Sequence, residues 1–396
     1  MIPSLRHTFN RNFTSGKYQS FLHLMEERCG TSVKFRLCET PCFFPKTLLD
    51  QMIEFGEELI RQLDTAHYRK VSAAAIPAEF NVPDEDDHPL FVQVDFGLVR
   101  SASGELVPKL VELQGFPSLY GYQAMLSQAY IDVFELDDNL RYLLAGLDWD
   151  SYQQLLRRAI VADHDPENVI LMEVSPLDQK TLPDFLVTEK VLGIKTVAIT
   201  DIEKDGKRLF YRSGGKRLPI SRIYNRTIVD ELVRKNLKLP FRLTDDLQVE
   251  WAGHPNWYFR ISKFSLPYLE HECVPKSFYL DRVQNMQFDN YILKPLFSFA
   301  GLGVIMNPTP QDVAAIPDEQ RSQYIVQERM IFEPVIETPF GKTKAEVRVM
   351  YIWMGKLTPV MTIVRMGRGL MMGVDQNRNM EWVGASAGLY PASPSS

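Results

Sequence analysis

Apolar residues recur at helical spacing over residues 45–64, PKTLLDQMIEFGEELIRQLD, and predict a helix there. At 91 the period drops to two. The run FVQVDFGLVR, the polar SASGE and the run LVPKLVELQ predict a strand, a turn and a second strand. Helical spacing returns over 117–160. Beyond it, ENVILMEVSP predicts a strand, LPDFLVTEKVLG a helix and IKTVAITDI another strand, the order of a parallel βαβ unit. The stretch DGKRLFYRSGGKRLPISRIYNR predicts two more short strands around turns, and 228–250 a helix with its connector. From 257, YFRISKFSLPYLEHE has helical spacing. NYILKPLFSF, GVIMNP, YIVQERM, EVRVMYIWM and LTPVMTIVRM then predict strands of a largely antiparallel sheet, joined by short turns. The closing PASPSS predicts a disordered tail, 391–396.

The 396 residues allow two or three domains at roughly 100–200 residues each. Hydrophobic residues at 45% and charged residues at 24% are ordinary for a globular protein, so a core of normal size is expected. The net charge of −6, with no basic block or stripe, argues against nucleic acid as a partner. No apolar stretch approaches the length of a membrane span, and the N-terminus has no secretory pattern, so the expectation is a cytoplasmic protein without a membrane partner. Cys29, Cys38, Cys42 and Cys273 form no C-x-x-C pair and no zinc spacing, and read as buried thiols.

The phosphate-binding loop G-x-x-x-x-G-K-[ST], the dinucleotide motif G-x-G-x-x-G and H-E-x-x-H are all absent. Gly384-Ala385-Ser386-Ala387-Gly388 fits the G-x-S-x-G nucleophile elbow, but no acid or histidine follows it. It reads as a turn of small residues.

Four other segments carry candidate chemistry. Lys294 ends the strand Tyr291-Ile292-Leu293-Lys294 and roots a small glycine-containing loop with Ser298, Gly301 and Gly303. A lysine there can neutralise phosphate while backbone N–H groups close over it. Gln327, Glu328 and Met330 end an apolar strand whose backbone edge suits an adenine ring. Glu346 and Arg348 share a strand face, and arginine suits bidentate contact with phosphate or carboxylate. In the 91–114 hairpin, a turn centred on Ser103-Gly104 puts Asp95 opposite Glu112, with Gln114 on the same face. Two carboxylates and an amide oxygen form a hard-oxygen set suited to Mg²⁺. Pro108 is a place where a bulge could shift that register.

Taken in order, these segments resemble the ATP-grasp superfamily. Lys294 and its loop resemble the second phosphate lysine and the covering loop of that family. Lys263, ahead of Val274-Pro275-Lys276-Ser277, resembles the first lysine. Residues 327–330 resemble the adenine hinge, and Arg348 the arginine near the reacting phosphate. Asn377 or Asn379, ahead of Gly384-Ala385, resembles a substrate-side asparagine. The metal motif that usually ends the family's order has no counterpart after Gly384. Glu112-Leu113-Gln114-Gly115-Phe116-Pro117 resembles it near the N-terminus, with Asp95 as the preceding metal aspartate and Gln114 in place of asparagine. That is the order of circularly permuted ATP-grasp proteins, including glutathionylspermidine-synthetase-like ligases. Ile223-Tyr224-Asn225-Arg226 resembles their Tyr-Arg-Arg segment, with Asn225 for the first arginine and Arg226 on the substrate side.

The resemblance implies an α+β and α/β architecture. Two α+β subdomains would grip a nucleotide, preceded by a Rossmann-like βαβ domain. It divides the chain into 1–160 (helices and the permuted metal hairpin), 161–250 (the βαβ domain) and 251–390 (nucleotide-binding subdomains). It implies ATP and Mg²⁺ as cofactors. The expected activity is ligation: a peptide-like or amino-acid carboxylate becomes an acyl-phosphate that an amine displaces. Arg348 and Lys294 would be the catalytic residues: Lys294 would hold phosphates together with Lys263, and Arg348 would stabilise the transferred group and the acyl-phosphate. A phosphotransferase on the same scaffold, or a non-catalytic nucleotide-binding protein, are the alternatives. The partners implied are small carboxylates and amines.

Overall fold

The computed structural model describes residues 1–284, 286–297, 302–374, 377 and 379–392. Its backbone is a seven-stranded sheet in the order Cys42–Phe43, Gly384–Pro391, Lys356–Gly367, Lys344–Met354, Phe91–Arg100, Leu106–Gln114, with Leu140–Arg141 paired beside Gly384–Pro391. Only Cys42–Phe43 runs parallel to its neighbour. Strands more than 200 residues apart in sequence are thus adjacent: Phe91–Arg100 pairs with Lys344–Met354.

The period of two explains the two faces. Val92, Val94, Phe96, Val347 and Val349 project to one side and join a core with Leu49, Met52 and Leu59 of the helix Lys46–Leu63. Phe91, Met350, Ile363 and Ala387 project to the other and pack with Ala124, Leu126 and Tyr130 of the helix Tyr122–Phe134. Further along that second face, the side chains become Gln93, Asp95, Glu346 and Arg348.

A second sheet is fully parallel, in the order Glu250–Ala252, Arg222–Asn225, Val169–Glu173, Lys195–Ala198. The helix Leu182–Leu192 crosses between its last two strands, as the spacing predicts. A small antiparallel sheet, Glu203–Asp205, Arg208–Ser213 and Lys216–Ile220, follows from the two-strand pattern there. The fourth sheet is antiparallel, with Tyr324–Glu328 between Ser277–Tyr279 and Tyr291–Pro295.

Several expectations need correction. The single antiparallel sheet foreseen after 257 is split between two sheets. Tyr291–Pro295 and Tyr324–Glu328 belong to the three-stranded sheet, whereas Lys344–Met354 and Lys356–Gly367 belong to the large one. The run at 304–306 makes only an isolated bridge, Ile305 with Leu293. The helical stretch 117–160 is two helices, Tyr122–Phe134 and Trp149–Ile160, separated by a short strand. After 257, a single turn Trp257–Arg260 gives way to a 3₁₀ segment, Lys263–Tyr268, with Pro267 inside it. Gly384-Ala385-Ser386-Ala387-Gly388 is a strand, not a turn. The Ser386 hydroxyl is buried and donates to Thr40 O at 2.7 Å, which suits no nucleophile. Pro391 belongs to that strand and Ala392 donates to Asn139 O, so these two residues are ordered, against the expectation for 391–396; the other four lie outside the described residues.

All four cysteines are free and buried, as their spacing suggests, and burial pushes their thiols up. No described helix is long and apolar enough to cross a membrane.

Candidate active site

The hairpin register places Asp95 opposite Glu112 and Gln93 opposite Gln114. It does so by compensation. Arg100 pairs with Leu106, so the turn is centred on Ser103 alone, one position short of the expected register. A bulge opposite the Asp95/Phe96 step then restores it: Phe96 faces Leu110, and Val111 is the extra residue. Pro108 sits in regular pairing with Leu98, so the bulge falls three residues beyond the position expected for it.

On the other flank of Phe91–Arg100, Arg348 lies opposite Asp95, and Arg365 lies opposite Glu346 one strand further. The guanidinium of Arg348 grips Asp95 with both arms, Nε to Oδ1 at 2.5 Å and Nη2 to Oδ2 at 2.6 Å. Its Nη1 donates to Gln93 Oε1 at 2.7 Å. Arg365 Nη1 reaches Asp95 Oδ2 at 3.1 Å and also bonds Glu346. Burial acts to raise the Asp95 carboxyl, but the two guanidinium groups outweigh it and hold it below its ordinary range. Burial raises Glu346, and Arg365 only partly opposes that.

The lysines approach from outside the large sheet. Gly115 makes this possible for Lys263. A Cβ on Gly115 would stand 2.6 Å from Trp257 O, and the Gly115 N–H donates to Ile261 O at 2.7 Å. That close approach brings the segment after Ile261 onto the end of the hairpin, where Lys263 Nζ lies 3.6 Å from Glu112 Oε2. Gln114 donates to Glu112 Oε1 at 2.5 Å. Burial tends to raise Glu112; the Lys263 and Lys294 ammonium groups prevail and lower it.

Lys294 is buried at the end of Tyr291–Pro295, and its partners are neutral: Gln327 Oε1 at 2.6 Å and Val111 O at 3.5 Å. The carbonyl is that of the bulged residue, so the irregularity in the hairpin gives the lysine an acceptor. Burial without a bonded carboxylate brings Lys294 down to about 8. Gln327 Nε2 is buried and has no hydrogen-bond partner among the described residues. Gly303, at φ +73°, folds the chain back against Pro295, where a Cβ would stand 2.9 Å from the proline ring. Ser298 and Gly301 of the same loop lie outside the described residues. Glu328 ends its strand exposed, and Met330 is half-buried just beyond.

Asp95, Glu112, Gln114, Lys263, Lys294, Gln327 and Arg348 therefore converge. The substrate-side candidates do not join their hydrogen bonds. Asn377 uses both ends of its amide on its own loop: Oδ1 accepts from Arg368 N and Gly369 N, and Nδ2 donates to Met371 O and Gly373 O. Asn379 is exposed. Arg226 is buried beneath the connecting segment that follows Gln114. It donates to Pro117 O at 2.8 Å and faces Asp184 at 3.4 Å, while Asp184 accepts from the backbone N–H groups of Leu119, Gly121 and Tyr122. Arg226 thus braces the connection from the hairpin to its helix. Arg365 and Gln93 were not anticipated. The signal for Arg365 was a lone arginine inside the apolar run LTPVMTIVRM, on a face that could meet Glu346.

Oxygen donors for a divalent cation are present in Asp95 and Glu112. Among the described residues no three His, Cys, Asp or Glu side chains form a ready metal cage, and each carboxylate is already turned to a cation. The set fits Mg²⁺ only together with a polyanion that draws the arginine and lysine groups to itself, which is the chemistry of Mg²⁺ held largely through phosphate and water.

No family model and no curated protein matches the chain. Among solved structures, it is similar to a glutathione synthetase-like effector, GSS30, from Globodera pallida, determined in the apo form. The identity is 12% and the TM-score 0.58, over 93% of this chain and 97% of that one. At that identity the likeness concerns the fold, and the chain has a mixed α+β, ATP-grasp-like fold.

Proposed function

We propose that the chain is a circularly permuted ATP-grasp ligase that uses ATP and Mg²⁺ to join a carboxylate to an amine. The observation that carries this reading is the convergence of Lys263, Lys294, Arg348 and Arg365 on Asp95, Glu112 and Glu346, at the seam between the three-stranded and seven-stranded sheets. Four cations interleaved with three carboxylates suit a metal-bound polyphosphate and little else of ordinary size. The parallel sheet of 161–250 takes the place of the Rossmann-like domain that precedes the grasp.

ATP, when bound with Mg²⁺, supplies the phosphoryl group that turns a substrate carboxylate into an acyl-phosphate open to amines. The chain's own part is electrostatic and positional. Lys263 and Lys294 hold phosphate oxygens. Asp95 and Glu112 hold the metal. Arg348 exchanges Asp95 for the transferred group and offsets its charge. Gln327, Glu328 and Met330 line the base, with Gln327 Nε2 as a buried donor in reserve. The substrate class expected is a peptide-like or amino-acid carboxylate with a small amine.

The test is ADP release with Mg²⁺ and a panel of carboxylates and amines, wild type against Lys294→Ala. A large loss in the variant is expected; equal ADP release would remove Lys294 from the site. A non-catalytic nucleotide-binding protein is the second reading, favoured by the double arginine hold on Asp95 and by Gln114 in the metal motif. It predicts thermal stabilisation by Mg²⁺ and ATP with no ADP formed for any pair.

A further inference from the structure

A second cleft, of about 620 Å³, opens at the other end of the parallel sheet. Its wall includes Arg222 and Glu250, which begin their strands, whereas Arg226 and Glu173 lie at the opposite ends. Trp353 enters it from the far end of the strand that carries Arg348. The cleft is therefore separate from the charged cluster, and what it binds does not depend on the ligase reading.

Its chemistry is of one sign. Five carboxylates and a single guanidinium line it. Three of the five are satisfied: Glu250 by Arg222 at 2.5 Å, Asp87 by Arg69 at 2.7 Å and Asp245 by Lys204 at 2.6 Å. Asp84 and Asp86 make no hydrogen bond or ion pair among the described residues; burial raises the Asp86 carboxyl, and His254, Arg222 and His88 only partly oppose that. His254 adds no cation, because burial lowers it and its ring is committed to Pro83 O at 3.0 Å. The remaining surface is apolar, with Val82, Leu90, Leu247, Val249 and Met354 around two indole rings. Trp251 lines it, and Trp353 is held flat by His88, with ring centres 4.2 Å apart and planes 13° apart.

Two carboxylates without a bonded partner, beside two indole rings in an otherwise aliphatic cleft, suit an organic cation that carries apolar groups. Indole faces attract cations through the negative charge of the ring face. The volume lies in the range of small-molecule sites, roughly 300–1,000 Å³. We propose that this cleft binds a small organic ammonium ion, its apolar groups against Trp353 and Trp251 and its charge against Asp84 and Asp86.

The experiment uses the full chain and choline as probe, followed by tryptophan fluorescence and ligand-observed NMR. The control is choline's uncharged carbon isostere, with tert-butyl in place of trimethylammonium. Saturable choline binding in the millimolar range or tighter is expected, with the isostere weaker by about tenfold or more, the factor that corresponds to a cation–π and charge contribution of this kind. The Asp84→Asn/Asp86→Asn double variant should bind choline at least about fivefold less tightly while still melting cooperatively near the wild-type temperature, since neither group holds a hydrogen bond or ion pair among the described residues. Trp353→Leu should weaken choline likewise while leaving the carboxylates in place. Equal binding of the isostere, wild-type affinity in the double variant, or no saturable choline binding would each overturn the assignment.

Discussion

Nucleotide affinity should fall as pH rises through about 8, because Lys294 loses its charge there in the ligand-free protein. The cause is structural. Its ammonium is buried, and its two bonded acceptors are an amide oxygen and a backbone carbonyl, so no carboxylate repays the lost hydration. Lys263 nearby adds repulsion, which Glu112, Glu346 and Asp95 only partly offset. A polyphosphate reverses this balance and favours the charged lysine. Affinity then follows the charged fraction of the free protein. With a value of about 8, that fraction falls from ~90% at about pH 7 to ~10% at about pH 9, a roughly tenfold loss or ~1.4 kcal/mol. The assay is a titration with a fluorescent, non-hydrolysable ATP analogue and Mg²⁺ at fixed ionic strength across that window. Lys294→Met serves as the control, checked for folding by its melting curve, and should bind weakly with no slope. A flat wild-type profile, or the same slope in Lys294→Met, would refute the argument.

Arg348→Met should destabilise the fold by about 2–3 kcal/mol, measured by urea unfolding; Arg365 still reaches Asp95, so the cost stays below the 3–5 kcal/mol of an abandoned buried charge. Adding Asp95→Asn should recover part of that loss, and simple additivity of the two would argue against their coupling. Gly115→Ala forces a methyl against Trp257 O and should cost about 1–3 kcal/mol while weakening analogue binding through Lys263, whereas wild-type affinity would separate that contact from the site. Glu173 is pushed up to about 8, first by burial, so the folded protein holds a proton there that the unfolded chain gives up near 4.5. Stability should therefore fall between those two values as pH rises, and Glu173→Gln should flatten that slope in thermal melts; an unchanged slope would exclude Glu173 as its source.

The elements that the sequence makes legible are those whose reason is local. The 45–64 helix, the 91–114 hairpin and the crossover around 182–192 all follow from period and turn residues. What escaped depends on distant partners. Nothing near Gly384 signals that its small side chains let a strand slip between Lys356–Gly367 and Cys42–Phe43. A run of small residues looks the same in a turn as in a crowded strand. Likewise GVIMNP has the apolar pattern of a strand but only Leu293 to pair with at Ile305, so it stays an isolated bridge. Asn377 has the right residue type before a Gly-Ala pair, yet its four hydrogen bonds close its own loop, a use that spacing cannot distinguish from ligand contact.

The charged cluster shows where such legibility stops. Each strand displays its ionisable residues on one face through alternation, so Asp95, Glu112 and Arg348 could be nominated one strand at a time. Their mutual neutralisation is a property of register between strands far apart in sequence. Asp95 meets Arg348 only because Phe91–Arg100 pairs with Lys344–Met354 at that step, and a slip of one residue would set Asp95 against Val347 or Val349 and turn the arginine to the other face. The bulge at Val111 serves the same end on the other flank, since without it Asp95 would face Val111 and Glu112 would point away from the cluster. Both constraints act on one aspartate. Two independent registers align Asp95 with a carboxylate and two guanidinium groups, in a place where hydrophobic side chains would fill the same face at lower electrostatic cost, and that is the arrangement the proposed polyphosphate ligand, able to take over those charges, would require.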